Sequence, residues 1–489
     1  MKDLKERAVR GGFAKLCGQA ANFALRLASI AILSRLLNPE DFGLLAMATV
    51  VTGVYGLFTS AGLSSATVQR DTITNAQVST LFWINIAVGA VLALACVVTA
   101  PVLVAFFHEP RLFWVTVAIS AGFILNAAGV QHFALLQRQL RYIALAVIET
   151  VAQVASSAVA IAMALAGFGY WALVAMAIVS PAVTTACMWL TTSWIPGLPR
   201  LKVGTGAMLR FGGTLTLNGL VIYVAYNLEK VLLGRFWGAD ALGLYGRAYQ
   251  LVTIPTENLN WAIGGVAFSA LSRLQHDPVR LKNYFLKGYS LVVSATIPTT
   301  IFCALFSDDI VLVVLGPKWV EAAVIFRLLS PTVLIFGMIN PLSWLLLSSG
   351  LQGRSLAVAL VIAPLVISAY LIGLPYGPNG VALAYSTAMT LWLVPHVLWC
   401  LHGTPVSPWD LFLAVRRSFL SGIVAAAAAF IVLLYFGQQG HSLLRLTLGG
   451  CVMAGVYCYM ILHVMGQRAF YLDLLAVMRN PSLDRKAEY

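Results

Sequence analysis

The stretch 11-GGFAKLCGQAANFALRLASIAILSRLLNPEDFGLLAMA-48 decides the fold. From Phe13 to Leu37 it runs 25 residues. At 1.5 Å per residue that length crosses a hydrocarbon layer of about 30 Å with some tilt. The segment is not uniformly apolar. Lys15, Gln19, Asn22 and Arg26 recur at spacings of three and four, which puts them in one stripe on one helix face. A guanidinium turned to lipid at mid-bilayer costs about 2.5–3.5 kcal/mol on insertion scales, so the stripe is expected to face protein or a water-filled cavity. After Leu37, the run Asn38-Pro39-Glu40-Asp41 reads as a tight turn: Pro39 cannot continue the first helix, and Asn38 or Asp41 can cap the next. The first two helices are therefore expected to form a hairpin.

The rest of the chain repeats this character. Of 489 residues, 60% are hydrophobic and 10% charged, and the mean hydropathy is +0.87. A soluble domain carries roughly 25% charged residues, so the composition defines an all-α polytopic membrane protein. Hydropathy places about 14 transmembrane helices, at 13–37, 41–64, 78–107, 112–137, 142–166, 169–193, 206–236, 241–268, 284–306, 321–349, 355–375, 379–402, 415–436 and 442–466. The net charge of +13 would suggest nucleic acid in a soluble protein. Here 22 Lys and Arg fall on the side of the N-terminus and five on the other, which the positive-inside rule explains. The asymmetry predicts both termini in the cytoplasm, an even helix count and no nucleic-acid partner. The basic start MKDLKERAVR leads into a long helix, so no cleavable signal peptide is expected.

A shift of about 200 residues reveals an internal repeat. Leu33-Ser34-Arg35-Leu36-Leu37 and Phe42-Gly43-Leu44 align with Leu233-Gly234-Arg235-Phe236-Trp237 and Leu242-Gly243-Leu244. Two parallel six-helix lobes around a central cavity are the expected arrangement. Their bounds are 1–200 for helices one to six and 201–405 for helices seven to twelve, with two further helices and a cytoplasmic tail in 406–489. Pro255, Pro298, Pro331, Pro341, Pro364 and Pro395 fall inside helices eight to twelve and should kink them.

Charges inside membrane helices are the sharpest functional signal. Beyond Arg26 they are Glu149 in helix five, Glu229 and Lys230 in seven, Arg247 and Glu257 in eight, and Arg327 near the start of ten. Tyr223, Asn227 and Lys230 share one face, and Glu149, Gln153 and Ser157 another. The functional reading is a cationic, polar pocket for a phosphate group, built from Arg26, Arg247, Lys230, Asn22, Gln19 and Asn227. Glu149 and Glu257 are candidates for proton or cation coupling. The bland reading is that Glu229 or Glu257 neutralises Lys230 or Arg247, and that Arg327 reaches for an interface. The seven cysteines and seven histidines show no metal-ligand spacing. No nucleotide loop, catalytic triad or paired carboxylates emerge, so no cofactor, metal or catalytic residue is expected. Small-residue runs such as Gly53 to Gly56 read as helix packing.

At Ala31–Ala48, AILSRLLNPEDFGLLAMA, and at its echo 233–251, LGRFWGADALGLYGRAYQL, the chain resembles the Wzx-type flippases of the polysaccharide transport family, in the multidrug/oligosaccharidyl-lipid/polysaccharide exporter superfamily. It is most similar to their colanic-acid and exopolysaccharide branch. The resemblance implies a bacterial inner-membrane protein that carries polyprenyl-diphosphate-linked oligosaccharide repeat units from the cytoplasmic to the periplasmic leaflet by alternating access. Arg26 and Arg247 would hold the diphosphate, by helix position. A polysaccharide polymerase and co-polymerase are the implied partners. Two alternatives stay open: a drug or cation exporter of the same superfamily, and a membrane polymerase or acyltransferase of the same pathway. The short connections on the outer side disfavour the enzyme.

Overall fold

A computed structural model of the protein describes residues 22–59, 67, 73–199, 206–436, 441–468 and 471. Among these residues there is no strand. The hairpin forms where the sequence places it. Helix α1 (22–36) closes with the Leu37 N–H donating to Leu33 O at 2.9 Å. The Asn38 N–H then donates to Asp41 Oδ2 at 2.9 Å, and α2 (Pro39–Thr59) begins on the proline, whose missing N–H is no loss in a first turn.

Helices α3 (Asn75–Phe107), α4 (Leu112–Arg138), α5 (Tyr142–Leu165) and α6 (Trp171–Thr192) follow. A reciprocal cap opens α3: Thr74 accepts from the Gln77 amide while Gln77 accepts from the Thr74 amide. Next, Gly206–Arg273 is one run of helix broken only at Gly238, where φ is 82°. It is two arms, α7 (206–237) and α8 (239–273), joined at a backbone conformation that glycine adopts without strain. The chain continues through α9 (Pro278–Leu305), α10 (Ala322–Ser348), α11 (Gln352–Gly373), α12 (Gly377–Leu401), α13 (Pro408–Phe436) and α14 (Ser442–Tyr459). Among the described residues these helices carry ten spans long and apolar enough to cross a membrane, α11 and α12 being counted as one. Pro331 falls inside α10, at the start of the second of its two pieces, Ala322–Leu329 and Pro331–Ser348.

The chain divides into two compact units. One comprises the chain up to Gly246 with Val314–Trp319 and Val366–Val381, and the other comprises Arg247–Val313, Val320–Leu365 and the chain from Ala382. In the first unit α4 packs on α2, α3 and α6, and α5 packs on α6. Glycines permit the close approaches: a Cβ at Gly89 would lie 2.6 Å from Ala127 Cβ. In the second unit α9 is the hub for α10, α13 and α14. The Tyr457 hydroxyl donates to Ser294 O at 2.7 Å, and Arg445 of α14 pairs with Asp309, whose side chain is only 3% exposed.

Within the first unit the two hairpin turns that align in the repeat cross each other. A Cβ at Gly43 would lie 1.7 Å from Ala239 O, and a Cβ at Gly243 would lie 1.9 Å from Pro39 O. The contact is reciprocal, with each glycine seated on the backbone that precedes the other. Around it, Trp319 Nε1 donates to Ser34 O at 2.7 Å and meets the Phe42 ring edge-on at 5.3 Å. Arg235 donates to His108 Nδ1 at 2.8 Å, and Trp237 Nε1 to Leu374 O at 2.8 Å. Arg111 clasps Glu40 and Glu109, and hydrogen bonding to that guanidinium holds the Glu109 carboxyl below the usual carboxylate range.

Candidate functional site

The polar stripe read from α7 is a continuous hydrogen-bonded chain. Residues three and four apart stand over one another on a helix. Accordingly, Lys230 Nζ donates to Asn227 Oδ1 at 2.7 Å and Asn227 Nδ2 donates to Tyr223 O at 2.8 Å. The Tyr223 hydroxyl reaches α2, within 3.2 Å of both Thr49 O and Val50 O. Only a glycine admits it there, because a Cβ at Gly53 would lie 1.9 Å from that oxygen. The ammonium of Lys230 therefore bonds to a neutral amide on its own face. Glu229, one residue away and so on another face, is 1% exposed.

The other candidate residues are placed as follows. Arg26 is exposed on α1, and Asn22, one turn earlier, has a buried Oδ1 with no donor among the described residues. Gln19 lies outside the described residues. On α5, Glu149 is exposed. Its stripe partners tie α5 to α1, with Gln153 Nε2 donating to Ser157 Oγ at 3.0 Å and Ser29 Oγ donating to the same oxygen at 2.7 Å. Arg247 and Glu257 belong to the second unit; Arg247 donates to Gln250 Oε1, and Glu257 is exposed. Arg327 is held at a helix end by Ser307 and Asp308.

A cavity of about 560 Å³ opens between α2, α4 and α6 of the first unit. Gly53, Gly56, Gly122 and Gly129 make room for it, and Phe123 and Phe133 supply aromatic walls. Its polar lining is Asn126 and the threonines 49, 52, 59, 184 and 185, and among the described residues no charged side chain lines it. Sequence reasoning assigned Gly53 and Gly56 to helix packing and passed over Asn126. The signal was present: Gly122, Asn126, Gly129 and Phe133 recur at spacings of four, three and four, and Thr49, Thr52 and Gly56 at three and four. Tyr223 rests on the α2 wall of this cavity, and Lys230 stands about 10 Å further along α7 at 1.5 Å per residue. Among the described residues no cluster of His, Cys, Asp or Glu could hold a metal ion.

A chain whose described residues carry ten spans long and apolar enough to cross a membrane, with a hydroxyl-bearing cavity lined by no charged described residue in one unit and a cationic polar stripe against its wall, is a multi-pass membrane protein. The protein belongs to the family of polysaccharide biosynthesis proteins, whose model matches residues 32–324. It is 27% identical to the lipopolysaccharide biosynthesis protein WzxC of Escherichia coli K12, over 71% of this chain and 70% of that one. It is 24% identical to the succinoglycan biosynthesis transport protein ExoT of Rhizobium meliloti, over 94% and 93%. Among solved structures it is similar to the lipid II flippase MurJ in an inward closed conformation, with a TM-score of 0.76, 14% identity and coverage of 94% of this chain and 99% of that one. A multidrug resistance transporter of the MATE family in its inward-facing conformation gives 0.61 at 14% identity, over 78% and 93%. The fold is that of these solved transporters.

Proposed function

We propose that the protein is a flippase for polyprenyl-diphosphate-linked oligosaccharide repeat units, moving them from the cytoplasmic to the periplasmic leaflet of a bacterial inner membrane for surface polysaccharide synthesis. The observation that carries this reading is the Tyr223–Asn227–Lys230 chain docked on the wall of a cavity whose described lining is uncharged. An amphiphile with an anionic linker and a polar uncharged head needs both features: a cation for the diphosphate and a separate space for sugars. Relatives named for lipopolysaccharide and succinoglycan biosynthesis support the substrate class.

In this reading Arg26 and Arg247 supply bidentate donors and Lys230 a point charge for the diphosphate, with Asn22, Gln19 and Asn227 as neutral partners. The two six-helix lobes, 1–200 and 201–405, alternate access. Glu149 and Glu257 couple the step to an ion where a coupling ion is used. A polymerase and co-polymerase on the far side would consume the product and give the step its direction. The test is a lipid extraction from cells depleted of the protein, with the leaflet of the accumulated lipid-linked oligosaccharide read by an impermeant probe. Accumulation on the cytoplasmic leaflet is expected, and Arg26→Ala, Lys230→Met and Arg247→Ala should each reproduce it with normal membrane insertion. Accumulation on the periplasmic leaflet overturns the reading.

A further inference from the structure

We infer that the cavity between α2, α4 and α6 is a subsite for uncharged sugar rings, and that it excludes acidic sugars at the positions of the repeat unit that enter it. This deepens the flippase reading and rests on it. The argument starts from where the hydroxyl protons go. Thr49 Oγ1 donates to Ala46 O at 2.9 Å, Thr52 Oγ1 to Ala48 O at 3.1 Å, and Thr185 Oγ1 to Leu125 O at 2.8 Å. A hydroxyl has one proton and two lone pairs, so these three, with their protons committed to backbone carbonyls, offer the cavity acceptors alone. The Tyr223 hydroxyl is likewise turned into α2.

The described wall therefore presents the lone pairs of these three threonines, methyl groups, bare glycine backbone and two phenyl faces, with the neutral Asn126 amide and the Thr59 and Thr184 hydroxyls as its other polar groups. A neutral hexose matches it: its hydroxyls donate to the threonine oxygens, and its C–H faces lie on Phe123 and Phe133. A carboxylate, sulfate or pyruvyl ketal fits it less well, since three of the wall's hydroxyls offer that group only lone pairs and no cation among the described lining residues meets its charge; a charge taken out of water without a partner is penalised. The polyprenyl tail is the poorer occupant, because it would leave every threonine lone pair and the Asn126 amide without a partner. The volume is that of a pocket for a drug-sized ligand, which corresponds to roughly one or two sugar rings.

The test uses the full chain in proteoliposomes with two synthetic polyprenyl-diphosphate disaccharides, one of glucose and glucose, the other of glucose and glucuronate, each fluorescent and read by an impermeant quencher. The neutral probe should move at least about ten-fold faster, the scale set by one unpaired charge. Thr52→Val, which keeps the shape and removes the lone pairs, should slow the neutral probe about five-fold. Asn126→Lys, at an exposed position on the cavity wall, should reverse the preference toward glucuronate. Equal rates for the two probes overturn the subsite while leaving the flippase standing. Movement of neither overturns the flippase reading, and a diazirine on the neutral disaccharide then decides the subsite by itself: cross-links on α2, α4 or α6 support it, and cross-links elsewhere sink it.

Discussion

Replacing Gly43 by alanine adds one methyl group at the point where two backbones cross. The new carbon would sit 1.7 Å from Ala239 O, 2.5 Å from Ala239 C and 2.9 Å from Ala239 Cα. All three atoms are backbone, so no side chain can swing aside. Ordinary C···O contact begins near 3.3 Å, which requires the turns to part by about 1.6 Å. Overpacking of this kind costs about 1–3 kcal/mol, which in a chain of this length lowers the melting temperature by about 2–6 °C. The assay is thermal unfolding of the detergent-purified protein, followed by tryptophan fluorescence. Gly246→Ala is the control, since a Cβ there meets nothing within 4 Å. Gly243→Ala should cost as much as Gly43→Ala, because its Cβ would lie 1.9 Å from Pro39 O. The double variant should cost little more than either alone, since one separation relieves both clashes. Unchanged melting in both single variants, or full additivity in the double, would refute the reciprocal crossing.

Trp319→Phe keeps the ring against Phe42 but deprives the buried Ser34 carbonyl of its 2.7 Å donor, and should destabilise by about 1–3 kcal/mol in the same assay. Asp309→Ala leaves Arg445, 13% exposed, without its partner carboxylate; a loss of about 3–5 kcal/mol is expected, largely recovered in the Asp309→Leu, Arg445→Leu double variant. Glu109 carries a depressed carboxyl pKa through its bond to Arg111, so its stabilising contribution is present above the ordinary carboxylate value and lost as pH falls through the lowered one. Thermal scans from neutral to strongly acidic pH should show that loss in the native protein. Glu109→Gln should flatten it, and an unaltered acid slope in the variant would count against the clasp.

The fold was legible in the sequence because each of its devices leaves a local mark. The α1–α2 hairpin needs Pro39 and, two residues on, Asp41, and the repeat shows in Arg35 and Arg235 at the same offset as Gly43 and Gly243. The α7 stripe was legible for the same reason, since spacings of four and three fix a face whatever packs on it. The cavity was not. Its walls are threonine, glycine and phenylalanine, the residues that also mediate tight helix packing in a membrane, and sequence cannot say whether a small residue admits another helix or leaves a space. The structure separates the two at neighbouring positions: at Gly53 the Tyr223 hydroxyl fills the approach, whereas a Cβ at Gly56 meets nothing within 4 Å. Nor could the sequence show that Thr49, Thr52 and Thr185 give their protons to the backbone, because each carbonyl acceptor depends on the rotamer and, for Thr185, on a different helix.

The crossing of the two turns has the geometry of an isologous interface, in which patch i meets patch j and j meets i, a form that ordinarily joins two identical subunits. In a homodimer one sequence must satisfy both sides, so every substitution is made twice. Covalent linkage of the two halves lifts that constraint. The turns have used the freedom: Pro39 stands where the other turn has Ala239, and Leu37 where it has Trp237, with a clasp of acids on Arg111 beside one and an indole bonded to Leu374 beside the other. The two glycines have not changed, because each faces the other turn's backbone, which no side-chain substitution can move.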